Sequence, residues 1–173
     1  MRKALLWLPL AAFVIVFALV MAGLLKPADR TVHSGLIDKP LPAINLPPLV
    51  ADKDGIKGGF GGRPRLINVF ASWCVPCIAE AKQLMRLKAA GVEIDGVATA
   101  DTPDAMVAFL AANGDPFARI GDDRNRQVQF SLGSAGVPET FVVDARGRIV
   151  KQHIGDIRED DVPKLLAALE AAK

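Results

Sequence analysis

The pattern of apolar and polar positions divides the chain near residue 25. From Ala4 to Leu25 about 22 residues run without a charge, and beyond them short apolar runs alternate with polar, glycine- and proline-rich punctuation. The proline-rich stretch that follows Lys26 has no clear periodicity and reads as a tether, with a linker over 26–40 and one domain over 41–173. Within the domain, 41–50 and 55–62 predict a short strand pair, with Gly58, Gly59, Gly61 and Gly62 marking a turn. Arg65–Ala71 is an apolar, β-branched run of strand length, and Ile78–Ala90 has helical composition and stops at Gly91. Val92–Ala98 predicts a buried strand, Asp104–Asn113 a helix with Thr102 as N-cap and Pro103 in its first turn, and 117–120 a short extended segment. Arg124–Leu132 predicts a helix ending at Gly133. Thr140–Asp144 and Ile149–Ile154 form a hairpin across Ala145–Arg148, and a last helix over Glu159–Ala172 puts Val162, Leu165, Leu166 and Leu169 on one face. The order strand, helix, strand, helix, strand, strand, helix implies an α/β fold: one central mixed β-sheet covered by helices on both faces.

The opening apolar run changes the compartment. At ~1.5 Å per helical residue it extends roughly 33 Å, enough for a ~30 Å hydrocarbon core and longer than the ~7–15 residue apolar region of a signal peptide. Val20-Met21-Ala22 loosely resembles a cleavage site and keeps removal of the segment open as an alternative. Arg2 and Lys3 precede the run, and Lys26, Asp29 and Arg30 follow it, so the positive-inside rule favours a cytoplasmic N-terminus and an extracytoplasmic domain. Arg2 and Lys3 also account for the net charge of +2, leaving the remainder formally neutral. With no basic surplus, no tyrosine and few aromatics, nucleic acid is not an expected partner.

The two cysteines of the chain, Cys74 and Cys77, lie together in Ser72-Trp73-Cys74-Val75-Pro76-Cys77. Structural zinc needs four ligands, and here there is no third cysteine, while His33 and His153 lie far apart. A structural disulfide over so short a loop removes little unfolded-chain entropy. A reversible redox pair is the favoured reading, placed where a strand meets a helix N-terminus. Unpaired N–H groups and the helix dipole stabilise an anion there, so the Cys74 thiol is expected in the ~3.5–7.5 pKa range of activated thiols. Cys74 is then the attacking thiolate, and the more shielded Cys77 resolves the mixed disulfide. No metal and no cofactor beyond the Cys74–Cys77 pair is expected.

The order of elements, the Trp73-Cys74-x-x-Cys77 corner and Val137-Pro138 before a strand resemble the thioredoxin fold. In that family the matching proline is cis and lies against the cysteines, leaving the preceding backbone free to pair with substrate; an edge-strand start is the bland alternative for Pro138. Gly133-Ser134-Ala135-Gly136-Val137-Pro138-Glu139-Thr140-Phe141 is similar to the fingerprint of the membrane-anchored thiol-disulfide oxidoreductases of cytochrome c maturation (CcmG/DsbE type), with Ser134 in place of valine. Ala71–Cys77, Glu80 and Asp101 fit as well, over nearly all of residues 40–170. Two departures stand out: Thr99-Ala100-Asp101 keeps only the acid of an aromatic-Lys-Asp sequence, and Ile78 replaces a common arginine.

The resemblance implies a thioredoxin-like reductase of the bacterial inner membrane, its catalytic domain in the periplasm, acting on apocytochrome c or a cytochrome c maturation protein. A membrane thiol-disulfide carrier would be the electron donor. It implies catalytic roles for Cys74, Cys77 and Pro138 and substrate contact through Trp73, Val137 and Pro138. Glu80 and Glu139 are candidates to take the Cys77 proton; ordinary solvated charge is the alternative for each. A general extracytoplasmic reductase, a copper-handling protein and an oxidising enzyme remain as rival functions.

Overall fold

A computed structural model describes residues 7–24, 34–58 and 60–173 of the chain. Contacts divide it into two compact units, Met1–Thr31 and Val32–Lys173. In the first, helix α1 (Leu8–Leu24) carries no charge along its 17 residues, and most of its side chains are exposed. At 1.5 Å per residue it is about 26 Å long. Among the described residues no helix is long and apolar enough to cross a membrane. The predicted span takes in residues 4–6 and 25, and these lie outside the described residues, as do His33, Gly59 and the linker up to residue 33.

In the second unit, β3 (Arg65–Phe70), β4 (Ile94–Thr99), β5 (Arg119–Asp123), β6 (Glu139–Val143) and β7 (Ile149–Ile154) form one sheet in the order β5-β4-β3-β6-β7. β3, β4 and β5 are parallel, and β6 and β7 are antiparallel to their neighbours, so the sheet is mixed as predicted. α2 (Val75–Ala89) and α3 (Pro103–Asn113) connect the parallel strands, and α5 (Val162–Ala171) closes the chain after a 3₁₀ turn over Glu159–Asp161. Leu66, Phe70, Ile94 and Ala98 face a core shared with Leu84 and Leu87 of α2, Met106 and Phe109 of α3, and Leu165 and Leu169 of α5. Ile67, Val69, Val97, Phe141 and Val143 face the other way, onto short α4 (Gln127–Ser131) and the small sheet β1 (Asn45–Leu46) with β2 (Ile56–Lys57). Every residue of β3 and β4 is buried, which is why their apolar runs show no alternation. Gly96 in β4 is required by packing: a Cβ there would lie 2.7 Å from the Phe70 ring, which stacks on Phe117 at 4.3 Å between centroids.

Several boundaries differ from expectation. The helix expected over 124–132 is only Gln127–Ser131. The Asp123 carboxylate accepts the N–H groups of Val128 and Gln129, and Arg126 is left-handed at φ +59°, so a turn takes up the first residues. The extended segment expected over 117–120 is the sheet's outer strand, shifted to 119–123. Nor does the tether continue to residue 40. Ser34 is buried; its Oγ donates to the Leu132 carbonyl (2.6 Å), its N–H donates to Gln152 Oε1 (2.7 Å), and the Asp38 N–H donates to the Ile149 carbonyl (2.7 Å). These backbone groups find partners on the domain, so the segment packs there.

Candidate redox site

Cys74 is the N-cap of α2, in extended conformation at φ −87° and ψ 108°, and Pro76 sits in the first turn where no N–H is needed. Cys74 and Cys77 form a disulfide with Cα atoms 5.2 Å apart, and Cys74 Sγ accepts the Cys77 N–H at 3.2 Å. The same donor, with the positive end of the helix dipole, is available to a Cys74 thiolate when the pair is reduced. In the disulfide both sulfur residues are buried, Cys74 at 4% exposure and Cys77 at 1%, so the expected contrast in access is slight in this state. Around them the surface is apolar: Trp73, Val75 and Ile78 are all exposed.

The loop before Cys74 is clamped. Asp101, buried at the end of β4, accepts from Ser72 N (2.6 Å), Ser72 Oγ (2.7 Å) and Thr102 N (2.8 Å). Trp73 Nε1 donates to the carbonyl of Ala100 (3.1 Å), a residue held at φ +48°. Asp101 thus fixes the corner from which Cys74 projects. This is a reason for an acid at that position that spacing alone did not supply.

On the other side of β3, the β6 register pairs Val69 with Glu139 and brings the buried Pro138 to the C-terminal end of β3, where the chain leaves for Cys74. The Val137–Pro138 peptide is cis. The loop ahead of it is tied from within: Ser134 Oγ and Gln129 Nε2 both donate to the Gly136 carbonyl, at 2.9 and 3.2 Å. Space beside Gly136 is open, and Val137 is half-buried, so this loop presents backbone to the surface.

The two carboxylates proposed for proton transfer part company. Glu80 is wholly buried one turn beyond Cys77, and not a solvated charge. Its Oε1 accepts from Asn68 Nδ2 (3.0 Å) and its Oε2 from the Ile157 N–H (3.0 Å). Burial pushes its pKa up from 4.5 to about 7; the two hydrogen bonds oppose the rise, and the charge of Asp156 adds to it. Residues three apart on a helix are neighbours, so a carboxyl that titrates near neutrality stands one turn from Cys77. Glu139 is also buried, but on the opposite face of the sheet from Thr140 and Asn68. It accepts from Ala135 N (3.2 Å) and Gln152 Nε2 (2.9 Å), which makes it a support of the Val137–Pro138 loop.

Asn68, Gln152 and Ser34 also support the site and lie outside every motif of the sequence. For Asn68 a signal existed: a polar residue in the middle of Leu66-Ile67-Asn68-Val69-Phe70 must be buried and must find partners. Among the described residues no cluster of His, Cys, Asp or Glu could hold a metal ion.

A redoxin family profile matches residues 39–169. The thiol:disulfide interchange protein HelX of Rhodobacter capsulatus is 38% identical, over 99% of this chain and 98% of that one. DsbE of Pseudomonas fluorescens is 35% identical, over 100% of this chain and 99% of that one. A crystal structure of a putative DsbE from Chlorobium tepidum superposes with a TM-score of 0.64 at 27% identity, over 82% of this chain and 99% of that one. With its thioredoxin-like sheet and a disulfide at the N-terminus of α2, the chain belongs to the redoxin family, among the DsbE and HelX thiol:disulfide interchange proteins, which are disulfide oxidoreductases.

Proposed function

We propose that this protein reduces the disulfide of apocytochrome c, or of a maturation protein that handles it, before haem attachment, in the periplasm and held at the bacterial inner membrane by residues 4–25. The cytochrome assignment is supported by the likeness to DsbE and HelX proteins together with the motif Gly133–Phe141. The observation that carries the reducing direction is Glu80. An oxidant owes its power to a stabilised reduced form, and a carboxylate without a countercharge beside the pair destabilises a thiolate and opposes the helix dipole.

The Cys74 thiolate attacks one sulfur of the target disulfide; a new S–S bond forms, the target bond breaks, and one target sulfur leaves as a thiolate. Cys77 then gives its proton to the Glu80 carboxylate. The Cys77 thiolate attacks Cys74 Sγ, the Cys74–Cys77 bond closes, and the second target sulfur departs. The target has gained two electrons and the enzyme has lost two. A membrane thiol carrier restores the dithiol by the reverse exchange. Trp73, Val137 and Pro138 form the surface against which the target's extended chain lies, and the redox group is the cysteine pair itself.

Trapping with Cys77→Ser in cells tests this reading, because the mixed disulfide on Cys74 stalls there. Apocytochrome c or its assembly proteins are the expected catch, with loss of c-type cytochromes after Cys74→Ser. Capture of unrelated secreted proteins alone, with normal cytochrome content, would identify a general reductase. A reduction potential near the ~−120 mV of strong oxidants would overturn the reducing role.

A further inference from the structure

Asn68 has a buried side-chain oxygen, Oδ1, with no hydrogen-bond partner among the described residues. Its other end is fully used: Nδ2 donates one proton to Glu80 Oε1 (3.0 Å) and the other to Thr140 Oγ1 (2.9 Å). This arrangement suits an ionised Glu80. One carboxylate oxygen faces the Asn68 amide and the other faces the Ile157 N–H, and both partners are donors. When Glu80 takes up a proton, neither oxygen can carry it without pointing it at a donor. The Ile157 N–H is backbone and cannot change sides. The Asn68 amide can, by a half-turn of its terminal torsion. Oδ1 then accepts the Glu80 O–H, and the Thr140 hydroxyl, which has no other partner, turns from acceptor to donor and bonds the same oxygen.

We propose that the Asn68 side-chain amide turns over each time Glu80 gains or loses a proton, making Asn68 the positioning residue that lets this carboxyl serve in both states. The two orientations each leave one end of the amide unpaired and pair the other end twice. The orphaned Oδ1 is therefore the mark of a group suited equally to two states, where a fully satisfied amide would hold Glu80 in one. The groups around Glu80 are few. Asp156 acts on it from the turn after β7, and Cys77 precedes it on α2. Asn68 of β3 and Thr140 of β6 are neutral, and His153 follows them in the same cross-strand row, its ring at the Asp156 carbonyl (3.3 Å) and Asp161 (3.9 Å). The catalytic meaning rests on Glu80 receiving the Cys77 proton; the turnover itself does not.

The test uses the full chain in detergent micelles with the Cys74–Cys77 bond intact, so that no thiol titrates. The Asn68 side-chain ¹⁵N and ¹H resonances and the Glu80 carboxyl ¹³C resonance are followed from pH 5 to 9. The expected result is one shared midpoint, with the Asn68 signals moving between two end positions. In Glu80→Gln the new amide must donate where the acid proton would, so Asn68 is expected at its low-pH position throughout. Asn68 signals that stay still while Glu80 titrates, or that sit at the high-pH position in Glu80→Gln, would overturn the inference. Peptide-disulfide reduction by the wild type, assayed separately, reports on the enzymatic reading whichever way the titration falls.

Discussion

Two carboxylates lie at zero exposure on opposite faces of the same sheet, and their surroundings assign them opposite tasks. Asp95 of β4 accepts from Arg65 Nη1 (3.1 Å) and from Arg119 Nε and Nη2 (2.8 and 2.6 Å). Arg65 also pairs with Glu93 (2.9 Å), and both guanidinium groups stand over the Phe60 ring. Two guanidinium groups neutralise that carboxylate in place, and the same hydrogen bonds hold Arg119 above its ordinary pKa. Among the described residues Glu80 meets no cation. Its donors are a neutral amide and a backbone N–H, and the one charge acting on it is the like charge of Asp156. A buried acid paired with arginine is a strut, and a buried acid paired with neutral donors can exchange protons.

Removing the strut should cost most. Asp95→Ala leaves Arg119 partly buried without its partner and buried Arg65 with Glu93 alone, and stability should drop by about 3–5 kcal/mol, read from urea denaturation of the disulfide form. The pH dependence of Cys74 alkylation in the reduced protein should stay as in the wild type. A drop below about 1 kcal/mol, or a displaced alkylation profile, would erase the contrast between the two acids.

Glu80 should reveal itself through pH. Its folded pKa of about 7 lies above the ordinary value of 4.5, so between those limits the native state holds more protons than the unfolded chain, and stability falls as pH rises. The favourable contribution is fully present below pH ~4.5 and is lost by the time pH has passed 7. The shift corresponds to something on the order of 3 kcal/mol. Glu80→Gln cannot ionise and should flatten this part of the curve while slowing disulfide reduction by roughly 10²-fold, the lower end for a lost proton-transfer group. Parallel stability curves for the two proteins from pH 4.5 to 8 would mean that Glu80 does not titrate there.

The difference between the two acids was only partly legible in the sequence. The cysteine corner and the strands and helices along the chain are legible because each depends on local pattern, spacing within one turn or an apolar run, whereas Pro138 is legible through the family resemblance. Glu80 was singled out, but whether it faced water depended on the turn after β7, where Ile157 offers its N–H from 77 residues away. Asp101 stands out as an acid after a strand, yet two of its three donors come from Ser72, in the loop that follows β3. The point where the tether meets the domain is hidden for the same reason. Nothing near Ser34 in sequence says that Leu132 and Gln152 will take its hydroxyl and N–H.

Glu139 sharpens the comparison by standing between the two cases. Like Glu80 it is buried with neutral donors, but like Asp95 it holds something in place: the loop that carries Val137 and Pro138. Gln152 is the link, since it donates to Glu139 through Nε2 (2.9 Å) and accepts the Ser34 N–H through Oε1 (2.7 Å), so both ends of its amide are used. Ser34 in turn lies against Gly133, which is left-handed at φ +70° and where a Cβ would come within 3.0 Å of the serine oxygen. The first residues of the domain, the far edge strand and the Pro138 loop are thereby joined by hydrogen bonds. Gln152→Ala removes one such bond from the loop's support, worth about 1 kcal/mol, equivalent to roughly a fivefold change in an equilibrium constant. If Glu139 acts only by holding the loop, the loss should appear as a several-fold higher KM for an oxidised Cys-x-x-Cys-His peptide, with kcat and the Cys74 alkylation profile unchanged. A fall in kcat at constant KM would instead give Glu139 the proton-moving part proposed for Glu80.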